Sequence, residues 1–139
     1  PVGTHHIPRS DPGCTIFVKL WQFDPEDQNQ FAMDLNTLPV TADPERPGVA
    51  SASLAMPGYE SVSMEVWKPG VTAQLAGDGG VEALILEGTV TIAQKAFAKH
   101  DWIRLPVGEA AKLTAGEQGA RLWIKRDHLR TIRDPSEVA

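Results

Sequence analysis

Short runs of alternating apolar and polar residues, separated by turns rich in glycine and proline, constrain the fold of this chain most strongly. Val62, Met64 and Val66 follow Ser61, Ser63 and Glu65 in turn, and near the N-terminus Ile16, Val18 and Leu20 stand at every second position. Apolar residues at every second position are typical of a strand with one buried face. With 12 glycines and 11 prolines among 139 residues, the pattern predicts an all-β sandwich or barrel rather than a helical bundle.

The alternation also predicts which residues form the core. We expect it to contain Val62, Met64, Val66, Leu84, Leu86, Ile103, Leu122 and Ile124. A further strand is predicted over 15–21, and 43–48 is expected to be a loop because it holds two prolines and a glycine.

Composition narrows the classes of partner and the location. A formal net charge of −5 disfavours nucleic acid and anionic membrane surfaces as partners. No apolar run approaches the roughly 18 residues of a membrane span. Cys14 is the single cysteine, so nothing demands an oxidising compartment, and we expect a cytoplasmic protein.

An internal repeat indicates a duplicated domain. Pro1-Val2-Gly3 recurs at 106–108, and 13–19 recurs in residue type at 119–125, with offsets of 105 and 106 residues. The sequence thus predicts four segments: 1–23, the C-terminal strand remnant of a first repeat; 24–46, a connecting segment; 47–128, a complete second domain; and 129–139, a tail. The opening strands of the first repeat are expected upstream of Pro1.

The order of motifs resembles the cupins, and more closely the cupin domain of ChrR-type anti-sigma factors, which often occurs in tandem. The resemblance covers Val66 to Lys125, with the Pro-Gly turn, the Glu-Gly pair and the run Asp-Trp-Ile-Arg-Leu-Pro-Val-Gly, and it also covers 1–21. It implies an RmlC-like jelly-roll β-barrel within a bicupin. In such barrels three histidines and one glutamate hold a divalent metal, which here would be Zn, Fe, Mn or Ni.

When the cupin motif is carried onto this sequence, none of its three histidine positions in the complete barrel holds a histidine. The three histidine positions fall on Ala76, Asp78 and Ala111, and the glutamate position falls on Glu82. Two carboxylates alone would hold a hard cation only weakly, so no metal is expected in the second barrel. The first repeat keeps its histidine as His6, which the resemblance implies as a metal ligand in a complete parent protein.

The same alignment predicts the lining of the barrel cavity. We expect Met64, Gln74, Ala76, Asp78, Glu82 and Ala111 to face it. Alanines at two former ligand positions leave the cavity either open to a small apolar or carboxylate ligand or filled by side chains. No catalytic residue is predicted.

The remaining polar residues are given structural roles. Asp78 is expected to serve a turn, and Glu82 to begin a strand at little cost if removed. Cys14 is expected to be buried, because its repeat partner is Ala120. His100 and His128 are interpreted as surface residues, and Lys125 and Arg126 as part of a solvated basic face.

Three functional hypotheses follow. The first is a non-catalytic, metal-free barrel with a structural, sensory or small-ligand-binding role. The second is a fragment of a metal-dependent bicupin dioxygenase or isomerase that uses His6. The third, binding of a sigma factor, applies at most to a longer parent, because a separate helical domain does that work in the resembling family.

The N-terminal remnant predicts association. Its apolar strand, 14–23, lacks its home sheet, and an unpaired apolar strand favours pairing with another sheet. We expect a homodimer, or association with a missing N-terminal fragment, through this strand.

Overall fold

The computed structural model describes residues 7–19, 32–54, 58 and 60–131. The chain divides into two compact units, one comprising Pro1–Met33 with Ile132–Ala139 and the other Asp34–Thr131. Every strand of the described part lies in the second unit. Within that part, no helix is long and apolar enough to cross a membrane. The division into repeats stays a prediction.

In its described residues, the second unit contains eight antiparallel strands. They are β1 (Thr41–Ala42), β2 (Val49–Leu54), β3 (Ser61–Trp67), β4 (Thr72–Ala76), β5 (Val81–Ile92), β6 (Lys95–Ala98), β7 (Trp102–Leu105) and β8 (Ala110–Arg126). One turn of 3₁₀ helix, His128–Thr131, follows β8. The predicted all-β architecture is confirmed, and residues 43–48 form the expected loop.

The two long strands, β5 and β8, each belong to both layers of the fold. In one layer the order is β1-β2-β3-β8-β5-β7, and in the other it is β4-β8-β5-β6. Irregular pairing near Gly88 marks the point where β5 and β8 pass from one layer to the other. The two layers enclose one hydrophobic core, and the result is a jelly-roll barrel.

Side chains from both layers meet in this core. It contains Val49, Trp67, Leu75, Val81, Ala83, Ile85, Val90, Ile103, Leu113, Ala115, Ala120, Leu122 and Ile124. Of the eight residues predicted for the core, Ile103, Leu122 and Ile124 lie in this cluster, and Val62, Met64 and Leu84 are also buried. Leu86 is only partly buried.

Strand β3 faces the opposite way from the prediction. Trp67 is in the core, so Ser63 and Glu65, two and four residues earlier, share its inward face. Val62 and Met64 are buried on the outward face instead, as is Leu84 of β5 opposite Trp123. Val66 is 37% exposed. The interior of the barrel therefore receives a carboxylate where the sequence predicted an aliphatic face.

The N-terminal segment also differs from the prediction. Of the strand expected over 15–21, residues 15–19 are described, and they are not in a strand. Ile16 and Val18 are 56% and 61% exposed. Cys14, expected to be buried, is exposed, because the strand that would have buried it is not formed in this part of the chain.

Gly88 is the residue on which the passage between layers depends. Its φ is +71°, and a Cβ atom there would overlap the carbonyl oxygen of Gly119. Gly108 has a similar φ of +81° but open space around it. We expect Gly108→Ala to lower the free energy of unfolding by about 1–2 kcal/mol through backbone strain alone.

Gly88→Ala is expected to cost more than about 3 kcal/mol, because a backbone clash adds to that strain and cannot be relieved by side-chain rotation. Urea unfolding of both variants measures the difference. Equal losses in the two variants would contradict this role for Gly88.

Candidate functional site

A buried carboxylate, Glu65, organises the polar end of the barrel interior. The side chain is 1% exposed and accepts four hydrogen bonds. Arg46 donates two of them, at 3.0 and 2.9 Å, as a bidentate pair. Arg126 donates at 2.9 Å, and the indole nitrogen of Trp67 donates at 2.8 Å. Each of the two carboxylate oxygens therefore accepts two hydrogen bonds.

The loop before β2 positions Arg46. Oδ1 of Asp43 accepts the backbone N–H groups of Glu45 and Arg46, at 2.9 and 3.1 Å. This arrangement is typical of aspartate at the start of a turn. Oδ2 of Asp43 then accepts Nε of Arg46 at 2.7 Å. The loop thus holds the guanidinium between two carboxylates.

Arg126 closes the network from the end of β8. It follows Ile124 on the inward face of the strand. Besides Glu65, its guanidinium donates to the hydroxyl of Ser63 at 3.2 Å and to the carbonyl of Ala76 at 3.1 Å. Arg126 therefore connects β3, β4 and β8 across the end of the barrel.

The network is electrically balanced. Two guanidiniums face two carboxylates, so their formal charges cancel. Burial acts to raise the pKa of Glu65, but the hydrogen bond from Arg46 and the charges of Arg126 and Arg46 outweigh it, and the pKa lies below its ordinary value. The hydrogen bond from Arg46 likewise lowers the pKa of Asp43. Both carboxylates are held ionised, and two adjacent cations oppose a metal ion at this position.

An open groove of about 670 Å³ runs beside the network, between β4 and the loop before β2. It is lined by Glu45, Arg46, Pro47, Thr72, Ala73, Gln74, Ala76 and Arg126. Arg46 and Arg126 thus separate the groove from the buried Glu65.

The residues expected to line one cavity are dispersed. Gln74 and Ala76 line the groove, and Gln74 is exposed. Leu75 between them points into the core, with Ala111 packed against that core. Asp78 is exposed in the turn 77–80, as its expected role requires. The difference arises because side chains alternate along a strand, so the aligned positions do not share a face.

Met64 and Glu82, the other two expected lining residues, are buried on the outward face of the sheet. Glu82 is 2% exposed and pairs with the imidazole of His128 at 2.8 Å. Arg104 lies 3.8 Å from the same carboxylate. The side chain of His128 is 8% exposed, which corrects its interpretation as a surface residue. His100 is exposed, as predicted.

Lys125 belongs to the same outward face and is also buried. It is 1% exposed, opposite Glu82 in the β5–β8 register, with its ammonium 2.8 Å from Oε2 of Glu60. Burial lowers the pKa of Lys125, and Glu60 opposes that effect. The expectation that Lys125 and Arg126 form a solvated basic face is therefore wrong, because β8 runs through the centre of the sheet.

The described residues contain no cluster of side chains that could hold a metal ion. Across 7–19, 32–54, 58 and 60–131, no three His, Cys, Asp or Glu side chains are grouped to hold a metal ion. Asp78 and Glu82 differ in burial and in face. His6, the ligand implied for the first repeat, lies outside the described residues.

The comparisons with known proteins support the fold. No family profile matches the sequence, and no curated protein matches it. Solved structures do match: a chain from the complex of Rhodobacter sphaeroides SigE with the anti-sigma ChrR has a TM-score of 0.60 at 16% identity, over 68% of this chain and 52% of that one. The protein therefore spans about half the length of that relative.

Two further structures extend the likeness. A protein of unknown function with a cupin-like fold from Ralstonia eutropha has a TM-score of 0.60 at 15% identity, over 71% of this chain and 67% of that one. The Schizosaccharomyces pombe Cnp3 cupin domain has a TM-score of 0.54 at 17% identity, over 68% of this chain and 71% of that one. The protein is an antiparallel jelly-roll barrel with the cupin fold.

The dependence of stability on pH should show that Glu65 is ionised in the folded protein at neutral pH. Because its folded pKa is lowered, Glu65 contributes stability at neutral pH that is lost as pH falls below the ordinary glutamate pKa of about 4 and through the folded pKa. We expect Glu65→Gln to lower the free energy of unfolding at pH 7 by about 3–5 kcal/mol. The variant should also lose less additional stability on acidification.

Urea unfolding between about pH 7 and pH 3 measures this dependence. The matched control is Glu109→Gln, which changes an exposed glutamate. A pH dependence in Glu65→Gln as steep as that of the unmodified protein would contradict the assignment.

The two carboxylates carried over from the metal motif should differ in their effect on stability. Glu82→Ala removes one partner of a buried pair with His128 and is expected to cost about 2–4 kcal/mol. Asp78→Ala changes an exposed turn residue and is expected to stay within about 0.5 kcal/mol. Thermal unfolding of both variants measures the difference, and equal small losses would restore the sequence-based expectation for Glu82.

Proposed function

We propose that this protein is a non-catalytic, metal-free cupin module with a structural role. One observation carries the proposal: the polar end of the barrel interior is occupied by Glu65, whose carboxylate is fully bonded to Arg46, Arg126 and Trp67. A catalytic or metal site needs a polar group left available to a ligand. Here each oxygen of the buried carboxylate already has two donors.

The rest of the interior supports the same conclusion. Leu75, Leu113 and Ile124 are fully buried in the core, so apolar side chains fill the space between the layers. Two of the three histidine positions implied by the resemblance hold alanine, Ala76 and Ala111. This favours the filled barrel over the open, ligand-binding cavity that the sequence also allowed.

A protein with a structural role needs a partner to act on. We propose that this partner is a second copy of the chain. Ile16 and Val18 are more than half exposed, and covering the rest of such β-branched residues is favourable by about 1–2 kcal/mol each. The similarity to a chain from the complex of SigE with the anti-sigma ChrR offers a precedent in which a protein of this fold occurs in an assembly. The alternative partner is an N-terminal fragment.

Metal analysis tests the metal-free proposal against the bicupin alternative. We expect the purified chain to hold far less than about one equivalent of Zn, Fe, Mn or Ni, and its melting temperature to be unchanged by a chelator. The control is His6→Ala, which should behave identically. A stoichiometric metal that His6→Ala removes would favour the bicupin alternative, and one that Glu82→Ala removes would refute the metal-free barrel.

A further inference from the structure

The two guanidiniums that enclose Glu65 are only partly used by the protein. A guanidinium carries five N–H donors. Arg46 uses three of them, one for Asp43 and two for Glu65. Arg126 also uses three, for acceptors on β3 and β4. Each guanidinium therefore keeps two N–H groups that have no acceptor among the described residues.

These spare donors can be reached from the groove. Arg46 and Arg126 both line it, and their side chains are 22% and 19% exposed. The groove volume of about 670 Å³ lies within the range of small-molecule sites, roughly 300–1,000 Å³. Whereas the buried carboxylate has no bonding capacity left, the groove beside it therefore offers hydrogen-bond donors to a ligand.

The spare donors are held in fixed directions. The guanidinium of Arg46 cannot turn without breaking its bonds to Asp43 and Glu65. Arg126 is tied in the same way to Glu65 and to the carbonyl of Ala76. A ligand would thus meet donors that are already oriented, and little side-chain freedom would be lost on binding.

Opposite charges are separated along the groove. Its lining contains two cations, Arg46 and Arg126, and one carboxylate, Glu45, which is exposed. The carboxylates of Asp43 and Glu65, which balance the arginines, do not belong to the lining. The groove therefore presents positive groups on its floor and a negative group at Glu45. With three carboxylates and two guanidiniums, the whole set has one negative charge in excess.

This arrangement disfavours simple ions as ligands. A small anion would accept the spare N–H groups but would meet the excess negative charge. A simple amine or a metal ion would pair with Glu45 but would face two guanidiniums and leave their donors unused. A zwitterion meets both requirements, because its carboxylate accepts hydrogen bonds on the floor while its ammonium donates to Glu45.

We propose that the groove binds a free α-amino acid in its zwitterionic form. The ligand carboxylate accepts the spare N–H groups of Arg46 and Arg126, and the ligand ammonium pairs with Glu45. The carboxamide of Gln74, exposed on the lining, both donates and accepts and is available to a polar side chain of the ligand. The proposal goes beyond the structural role, and it leaves the filled interior as described.

NMR titration of the isotope-labelled full chain with each common L-amino acid tests for binding. We expect at least one of them to shift the amide signals within 43–48 and 72–76, with saturation. Two derivatives of that amino acid then separate its charged groups. The amide, which lacks the carboxylate, should bind at least about tenfold more weakly. The N-acetyl form, which lacks the ammonium, should bind about two- to fivefold more weakly, as for loss of an exposed ion pair.

Glu45→Gln tests the ammonium contact. It should weaken binding of the free amino acid by about two- to fivefold. It should not weaken binding of the N-acetyl form, because that form has no ammonium to lose. The matched control is Glu109→Gln, which changes an exposed glutamate outside the groove lining and should bind both ligands as the unmodified protein does.

The remaining results contradict the proposal. The absence of a saturable shift with every amino acid, or shifts confined to other parts of the chain, would refute the site. Equal binding of the free amino acid and its N-acetyl form would refute the contact with Glu45. Equal weakening in Glu45→Gln and Glu109→Gln would reduce the effect to general surface charge. None of these results changes the expected metal content or oligomeric state, so the structural role is tested separately.

Discussion

Burial of one negative charge sets the requirements that the polar end of this barrel meets. The carboxylate of Glu65 is taken out of water, and an unpaired charge there would cost several kcal/mol. The fold compensates with two guanidiniums and an indole N–H, drawn from the loop before β2, from β8 and from β3 itself. Arg126 also donates to the carbonyl of Ala76, so β4 is joined to the same hydrogen-bond network. Loss of the carboxylate would leave two cations facing each other across the barrel end.

The sequence predicted the class of the fold because alternation and turn residues are local properties. It predicted the loop at 43–48 and the burial of Leu122 and Ile124 for the same reason. It failed at β3, where the pattern offers two readings: aliphatic residues on one face, and Ser63, Glu65 and Trp67 on the other. The alternation predicts burial of the aliphatic face, whereas the structure turns the other face inward. A tryptophan at the end of a polar face was the available signal that this face is turned inward.

The site itself depended on contacts distant in sequence, which no pattern within a strand reports. Arg46 and Glu65 lie 19 residues apart, and Arg126 lies 61 residues from Glu65. The resemblance to cupins indicated where ligands would be missing, but not which residues occupy the interior instead. Likewise, the Glu82–His128 pair joins the start of β5 to the residues after β8. A histidine in a charged tail gave no sign of this partner.

The passage of β5 and β8 through both layers has a mechanical consequence. A sandwich whose layers share no strand can open like a book, with each sheet remaining intact. Here the backbones of β5 and β8 continue through the corner at Gly88, although their pairing is irregular there, so the two layers stay covalently joined by both strands. Force applied to one layer is transmitted to the other through the covalent backbones of β5 and β8. Opening the two layers therefore requires β5 and β8 themselves to bend or break.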